Sequence, residues 1–138
     1  ASRVRYKRNS RMTEQITHKL DVGVETSYID DQSDPDADRY VFAYTITISN
    51  TGSTPAKLLK RHWLITDSNG KIQEVRGEGV VGEQPHLKPG EVFRYTSGTV
   101  LETPVGTMEG EYEMLGDDGR SFLAPIDRFS LSVPRVLH

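Results

Sequence analysis

The chain has 138 residues, a length suited to one domain, and at 35% hydrophobic residues with a mean hydropathy of −0.55 its core must be thin. It lacks cysteine, which excludes disulfides, zinc–thiolate sites and cysteine nucleophiles, and it has no apolar run near the ~20 residues of a membrane-spanning helix. The net charge of −3 is uneven: Arg3, Arg5, Lys7, Arg8 and Arg11 sit in residues 1–11, leaving residues 12–138 at −8, a balance that disfavours nucleic acid and anionic membranes as partners of the body.

Residues 1–11 read as a basic extension, disordered or an expression remnant ahead of Met12, and the domain is expected over residues 12–138. Leu20, Val22, Val24, Thr26 and Tyr28 alternate with polar residues, which predicts a half-buried strand. Five aspartates follow within residues 30–38. An EF-hand pattern started at Asp34 fails, with Arg39 where glycine is needed and Thr45 where the bidentate glutamate is needed. A mobile, solvated loop is therefore expected there, with no metal residues. Residues 39–50 form the strongest predicted strand, with Tyr40, Phe42, Tyr44, Ile46 and Ile48 on one face and a turn at 50–53.

Residues 56–66 alternate again, Leu59, Arg61, Trp63 and Ile65 opposing Leu58, Lys60, His62 and Leu64. Both faces are mixed, so this strand reads as central. Asn69-Gly70 predicts a hairpin turn into a return strand over residues 71–76. That strand delivers Gly77-x-Gly79-x-x-Gly82, the spacing of a dinucleotide-binding loop. Such a loop must open a helix, and Pro85 and Pro89 leave no room for one. Two readings stay open: a conformational loop joining strands, and a weak phosphate or pyrophosphate site made of Gly77, Gly79 and Gly82 assisted by Arg76.

Residues 85–91 read as loop, 92–100 as a strand with Phe93, Tyr95, Ser97 and Thr99 on one face and Gly98 as a bulge, and 107–115 as a strand with Met108, Gly110, Tyr112 and Met114 inward. Residues 121–133 read as a pair of shorter strands split by Pro125. About seven strands with no helical periodicity predict an all-β antiparallel sandwich of immunoglobulin or fibronectin type III character, with Trp63, Phe42 or Tyr44, Ile46 and Tyr112 in its core. No catalytic residue is predicted. His18, His62, His86 and His138 show no metal-ligand spacing and no evident partner, and no Gly-x-Ser-x-Gly elbow occurs.

Residues 61–67 (RHWLITD), 74–85 (EVRGEGVVGEQP), 95–98 (YTSG), 103–110 (TPVGTMEG) and 129–134 (FSLSVP) resemble signature stretches of the bacterial ApaG family. The likeness runs from about Leu20 to His138. It implies a fibronectin type III-like sandwich, a cytoplasmic location, and an association with cobalt resistance and magnesium efflux. It implies, too, a glycine motif proposed to bind pyrophosphate, and relatives that serve as partner-binding modules in an F-box protein and a polymerase-associated protein. The resulting expectation is a non-catalytic binding module without a cofactor, engaging an unidentified protein partner. The alternative is a phosphate, pyrophosphate or nucleotide ligand at the 77–82 loop.

Overall fold

Period-two alternation gives several strands one apolar face each, and burying those faces against one another dictates two packed sheets. The computed structural model describes residues 17–134; the expectations for residues 1–11 and for His138 lie outside them. One sheet has the order β1-β2-β6, built from Leu20–Tyr28, Tyr40–Asn50 and Val92–Leu101. The other has the order β4-β3-β7-β8, built from Ile72–Glu78, Ala56–Asp67, Val105–Gly116 and Ser121–Ser132, with the two-residue β5, His86–Leu87, paired to the start of β3. All pairings are antiparallel. The predicted all-β sandwich is what forms.

The core lies between the sheets. Phe42, Tyr44, Ile46 and Ile48 of β2 face Trp63, Ile65, Met108, Tyr112 and Met114. Trp63 is 2% exposed, and its ring lies 5.4 Å from that of Tyr44, 6.0 Å from Phe129 and 6.4 Å from Tyr112. Tilted and edge-on aromatic pairs of this kind add to area burial. Tyr95 of one sheet and Tyr112 of the other share a hydroxyl–hydroxyl bond of 2.5 Å across the interior.

The mixed faces of β3 have a physical cause. A bulge between Leu58 and Lys60 inserts one residue, so Leu58 and the Arg61-Trp63-Ile65 series all turn inward despite their opposite parity. A second correction concerns Pro125. It does not split the last strand: β8 runs through it, and the irregularity falls instead opposite Glu109, where the pairing jumps from Met108–Phe129 to Gly110–Ile126. β8 is an edge strand, where the missing N–H of proline can point away from the ladder. Gly98 makes no bulge, since its pairing with Ala43 is in step with its neighbours. Among the described residues there are eight strands, because residues 85–91, read as loop, contain β5; Asn50 secures it by donating from Nδ2 to Leu87 O at 2.8 Å.

The aspartate-rich segment is exposed as expected, yet it is folded on itself. It makes two three-residue 3-10 turns, Asp30–Gln32 and Pro35–Ala37, closed by paired bonds between Asp34 and Arg39. Ser33 Oγ donates to Ile29 O and accepts from Val41 N–H, tying the segment to β2.

Candidate binding site

The two flanks of the sandwich close differently. On one, β1 approaches β8. On the other, β4 and β6 are the sheet edges, and the chain between β4 and β5 fills the gap. That chain is the glycine motif. β4 extends to Glu78, so Gly77 is a strand residue paired with Arg61 rather than part of the loop. Gly79 then turns the chain with φ +62, and a Cβ there would lie 2.2 Å from Glu83 O. Only glycine satisfies both the left-handed backbone and that close approach.

The next four residues are a tight hairpin. Val80 N–H donates to Glu83 O at 2.8 Å and Glu83 N–H to Val80 O at 2.9 Å, while the central Val81 and Gly82 have φ of 45° and 80°. Two positive φ values in a two-residue loop define a type I′ turn. Val80 is fully buried and joins the core; Val81 is 53% exposed at the tip. No helix follows, so neither a helix N-terminus nor its dipole faces this loop. Gly79 N–H is also spent, donating to Leu59 O at 2.8 Å.

The structure brings Gly79 and Gly82 into one turn, leaves Gly77 in the preceding strand and sends Arg76 elsewhere. Arg76 points to the outer face of the four-stranded ladder, 2.8 Å from Glu74, whose carboxyl it holds below the usual range with help from His62. The cation at the loop is Arg61, which sequence reasoning did not single out. Its Nη1 donates to Glu78 O and Gly79 O, both at 3.0 Å. Its guanidinium lies across Gly77, where a Cβ would come within 2.7 Å of it. The signal was present: alternation puts Arg61 on the same strand face as Trp63, and an arginine on a core face needs a reason.

Beneath the turn is a cavity of about 170 Å3 lined by Tyr44, Arg61, Trp63, Val80, Val81, Gly82, Tyr95 and Ser97. Its lining contains a cation and three hydroxyls and no carboxylate. Burial pushes Tyr95 up to about 12, against a weaker opposing effect of its bond to Tyr112, and burial raises Tyr112 further. Both hydroxyls are therefore neutral donors and acceptors at ordinary pH.

A second, wider depression of about 390 Å3 is lined by Lys60, His62, Arg76, Gly77, Glu78, Glu111, Glu113 and Leu123, and Arg61 borders it as well as the cavity beneath the turn. Its charges are interleaved. The described histidines do have partners: His62 lies 3.0 Å from Glu74, His18 2.7 Å from Asp118 and His86 2.8 Å from Asp117. These are surface ion-pair contacts, and no serine hydroxyl is bonded to any of them among the described residues, so none is presented as the base of a nucleophile. Among the described residues no group of three or more His, Cys, Asp or Glu is placed to hold a metal ion, and no helix is long and apolar enough to cross a membrane.

Comparison with known proteins gives a consistent answer. The sequence model of the ApaG domain matches residues 30–116. The chain is 58% identical to the protein named ApaG from Thiobacillus denitrificans over 92% of this chain and 100% of that one. The same figures hold for the ApaG protein of Nitrosospira multiformis. A crystal structure from Bordetella pertussis, of a protein titled ApaA, superposes with a TM-score of 0.84 at 54% identity, covering 86% of this chain and 97% of that one.

Proposed function

The chain belongs to the ApaG domain family, and from that premise we propose that it is a non-catalytic binding module that engages a protein partner through the flank sealed by the glycine turn. The observation that carries this is Val81. A β-branched residue in the left-handed region is a genuine backbone outlier, and this one is also an exposed apolar side chain at a loop tip. A type I′ turn made only for folding favours asparagine before glycine. Strain kept at a solvent-facing position, beside a preformed cavity, is the mark of a contact surface. A cytoplasmic setting goes with this reading, and any part in cobalt resistance or magnesium efflux would run through the partner. The alternative, a phosphate or nucleotide held by Gly77, Gly79, Gly82 and Arg76, draws less support. Three of the loop amides already have partners, and Arg76 is ion-paired on another face.

The test uses Val81 itself. Val81→Asn should stabilise the fold by about 1 kcal/mol, the scale of the left-handed penalty it relieves, while weakening partner capture. A photo-crosslinking residue placed at position 81 should yield a discrete protein adduct in cell extract that the same residue at Thr45, on the outer face of the other sheet, does not. Equal adducts from both positions, or none from 81, would refute the proposal.

A further inference from the structure

We propose that the cavity beneath the glycine turn is a receptor for a single carboxylate group, with Arg61 as its anchor. The proposal deepens the reading of this flank as a contact surface, and a partner's acidic side chain or C-terminus is one source of the group; a free organic acid is the other.

The donor accounting is the first argument. Arg61 pairs with no carboxylate among the described residues, and its two bonds to Glu78 O and Gly79 O use only Nη1. A guanidinium carries five N–H donors and no acceptor. The Nε and Nη2 edge that remains is the fork that grips a carboxylate with two parallel bonds. Those two carbonyls and the strand beneath hold the fork in place, so little side-chain freedom is lost on binding. The hydroxyl of Tyr44, a residue 7% exposed, has no hydrogen-bond partner among the described residues, and Ser97 lines the same wall. Every polar side chain lining the cavity can donate.

Charge and size then choose the ligand. The lining offers one positive charge. A monoanion balances it; a phosphate dianion or pyrophosphate would leave excess negative charge in a body that is already at −8 over residues 12–138. Glu78 and Glu83 flank the turn and repel polyanions. At about 170 Å3 the cavity is an order of magnitude above the ~10–15 Å3 that admits one water. It is below the ~300–1,000 Å3 of pockets for drug-sized ligands, so it suits one small group rather than a nucleotide.

Trp63 lines the cavity and is the chain's only tryptophan, so its fluorescence reports occupancy. Acetate titrated against chloride at matched ionic strength should give a saturable change, and inorganic phosphate and pyrophosphate a weaker one. Tyr44→Phe should weaken acetate binding about threefold to tenfold, the scale of one hydrogen bond. Gly77→Ala places a methyl where the guanidinium lies and should weaken it further, without the loop strain of a left-handed residue. Arg61→Gln should abolish it; if that variant fails to fold by circular dichroism, the other two decide. An amidated peptide with one internal glutamate that outbinds acetate more than tenfold assigns the group to a partner chain, and parity assigns it to a free acid; both support the receptor. No saturable response to acetate or peptide, a phosphate response equal to or stronger than acetate's, or an unchanged response in Tyr44→Phe and Gly77→Ala would overturn it. Crosslinking at position 81 that persists through such a failure would keep the contact surface and remove only the carboxylate.

Discussion

The closed and open flanks of the sandwich solve one problem in two ways. Where β1 approaches β8, ordinary alternating strands do the sealing: Val22, Val24, Phe122 and Phe129 pack against the core from the strands themselves. Where β4 and β6 leave a gap, a loop is folded inward, one valine is driven fully into the core and an arginine pins the backbone from inside. The first solution needs only a binary pattern. The second needs left-handed backbone at Gly79 and Gly82 and room for the Arg61 guanidinium at Gly77, which is why three glycines fall there and why the spacing looks like a nucleotide motif without being attached to a helix. It also leaves a cavity, a guanidinium edge with no carboxylate partner among the described residues, and a strained exposed valine.

The largest expected effect comes from the residue that both solutions share. Trp63 touches Tyr44, Tyr112 and Phe129 and lines the cavity. Trp63→Ala should cost about 3–5 kcal/mol in urea unfolding, as for other large buried aromatics. A loss below about 1 kcal/mol would mean that neither flank packs against the ring.

Gly79→Ala comes next, at about 2–3 kcal/mol, because it adds overlap with Glu83 O to the ~1–2 kcal/mol of a left-handed residue. Gly82→Ala has a similar φ but nothing within 4 Å of the new methyl, so it should cost only about 1 kcal/mol. Equal losses in the two variants would show that backbone conformation alone, and not close approach, demands the glycines.

The flanks can be compared with one chemistry. Val80→Ala removes two methyl groups from a fully buried site and should cost about 2 kcal/mol, transfer and residual cavity together. Val22→Ala removes the same atoms from a half-buried strand position and should cost about 1 kcal/mol or less. If the order reverses, the glycine turn is not the seal of the open flank.

What could be read from the sequence follows the same division. The closed solution was legible: strand faces in β1, β2, β6 and β7 follow from alternation, and the core residues Trp63, Phe42, Tyr44, Ile46 and Tyr112 with them. The bulge at Leu58–Lys60 was not, since a bulge reverses parity without leaving a residue type behind, and it made β3 look two-faced. Pro125 misled because only the sheet order tells whether a proline sits on an edge. At the glycine motif the absence of a helix was legible from Pro85 and Pro89. The role of Arg61 was not, because its partners are main-chain carbonyls some 17 and 18 residues away. Arg76, adjacent in sequence to the glycines, drew attention that geometry gives to Arg61.

The smallest effect at neutral pH is one that appears only in alkali. The Tyr95–Tyr112 hydroxyl pair joins the two sheets behind the cavity, and burial raises both pKa values above the ~10 of an unfolded tyrosine, Tyr95 to about 12. A raised folded pKa means that between about pH 10 and 12 the unfolded chain releases protons the native chain keeps. The slope of stability with pH follows protons bound by the unfolded state minus those bound by the native state, and here it is negative. The stabilisation is complete below pH 10 and falls as pH rises past it; the share due to Tyr95 is gone once it ionises in the folded state near 12, while that of Tyr112, raised further, persists. Urea midpoints at pH 7, 9, 10.5 and 11.5 measure it. The wild-type curve should bend downward above pH 10, and the Tyr112→Phe curve should bend less. A Tyr112→Phe curve as steep as the wild type would place the alkaline loss outside the hydroxyl pair, and so outside the flank that the glycine turn seals.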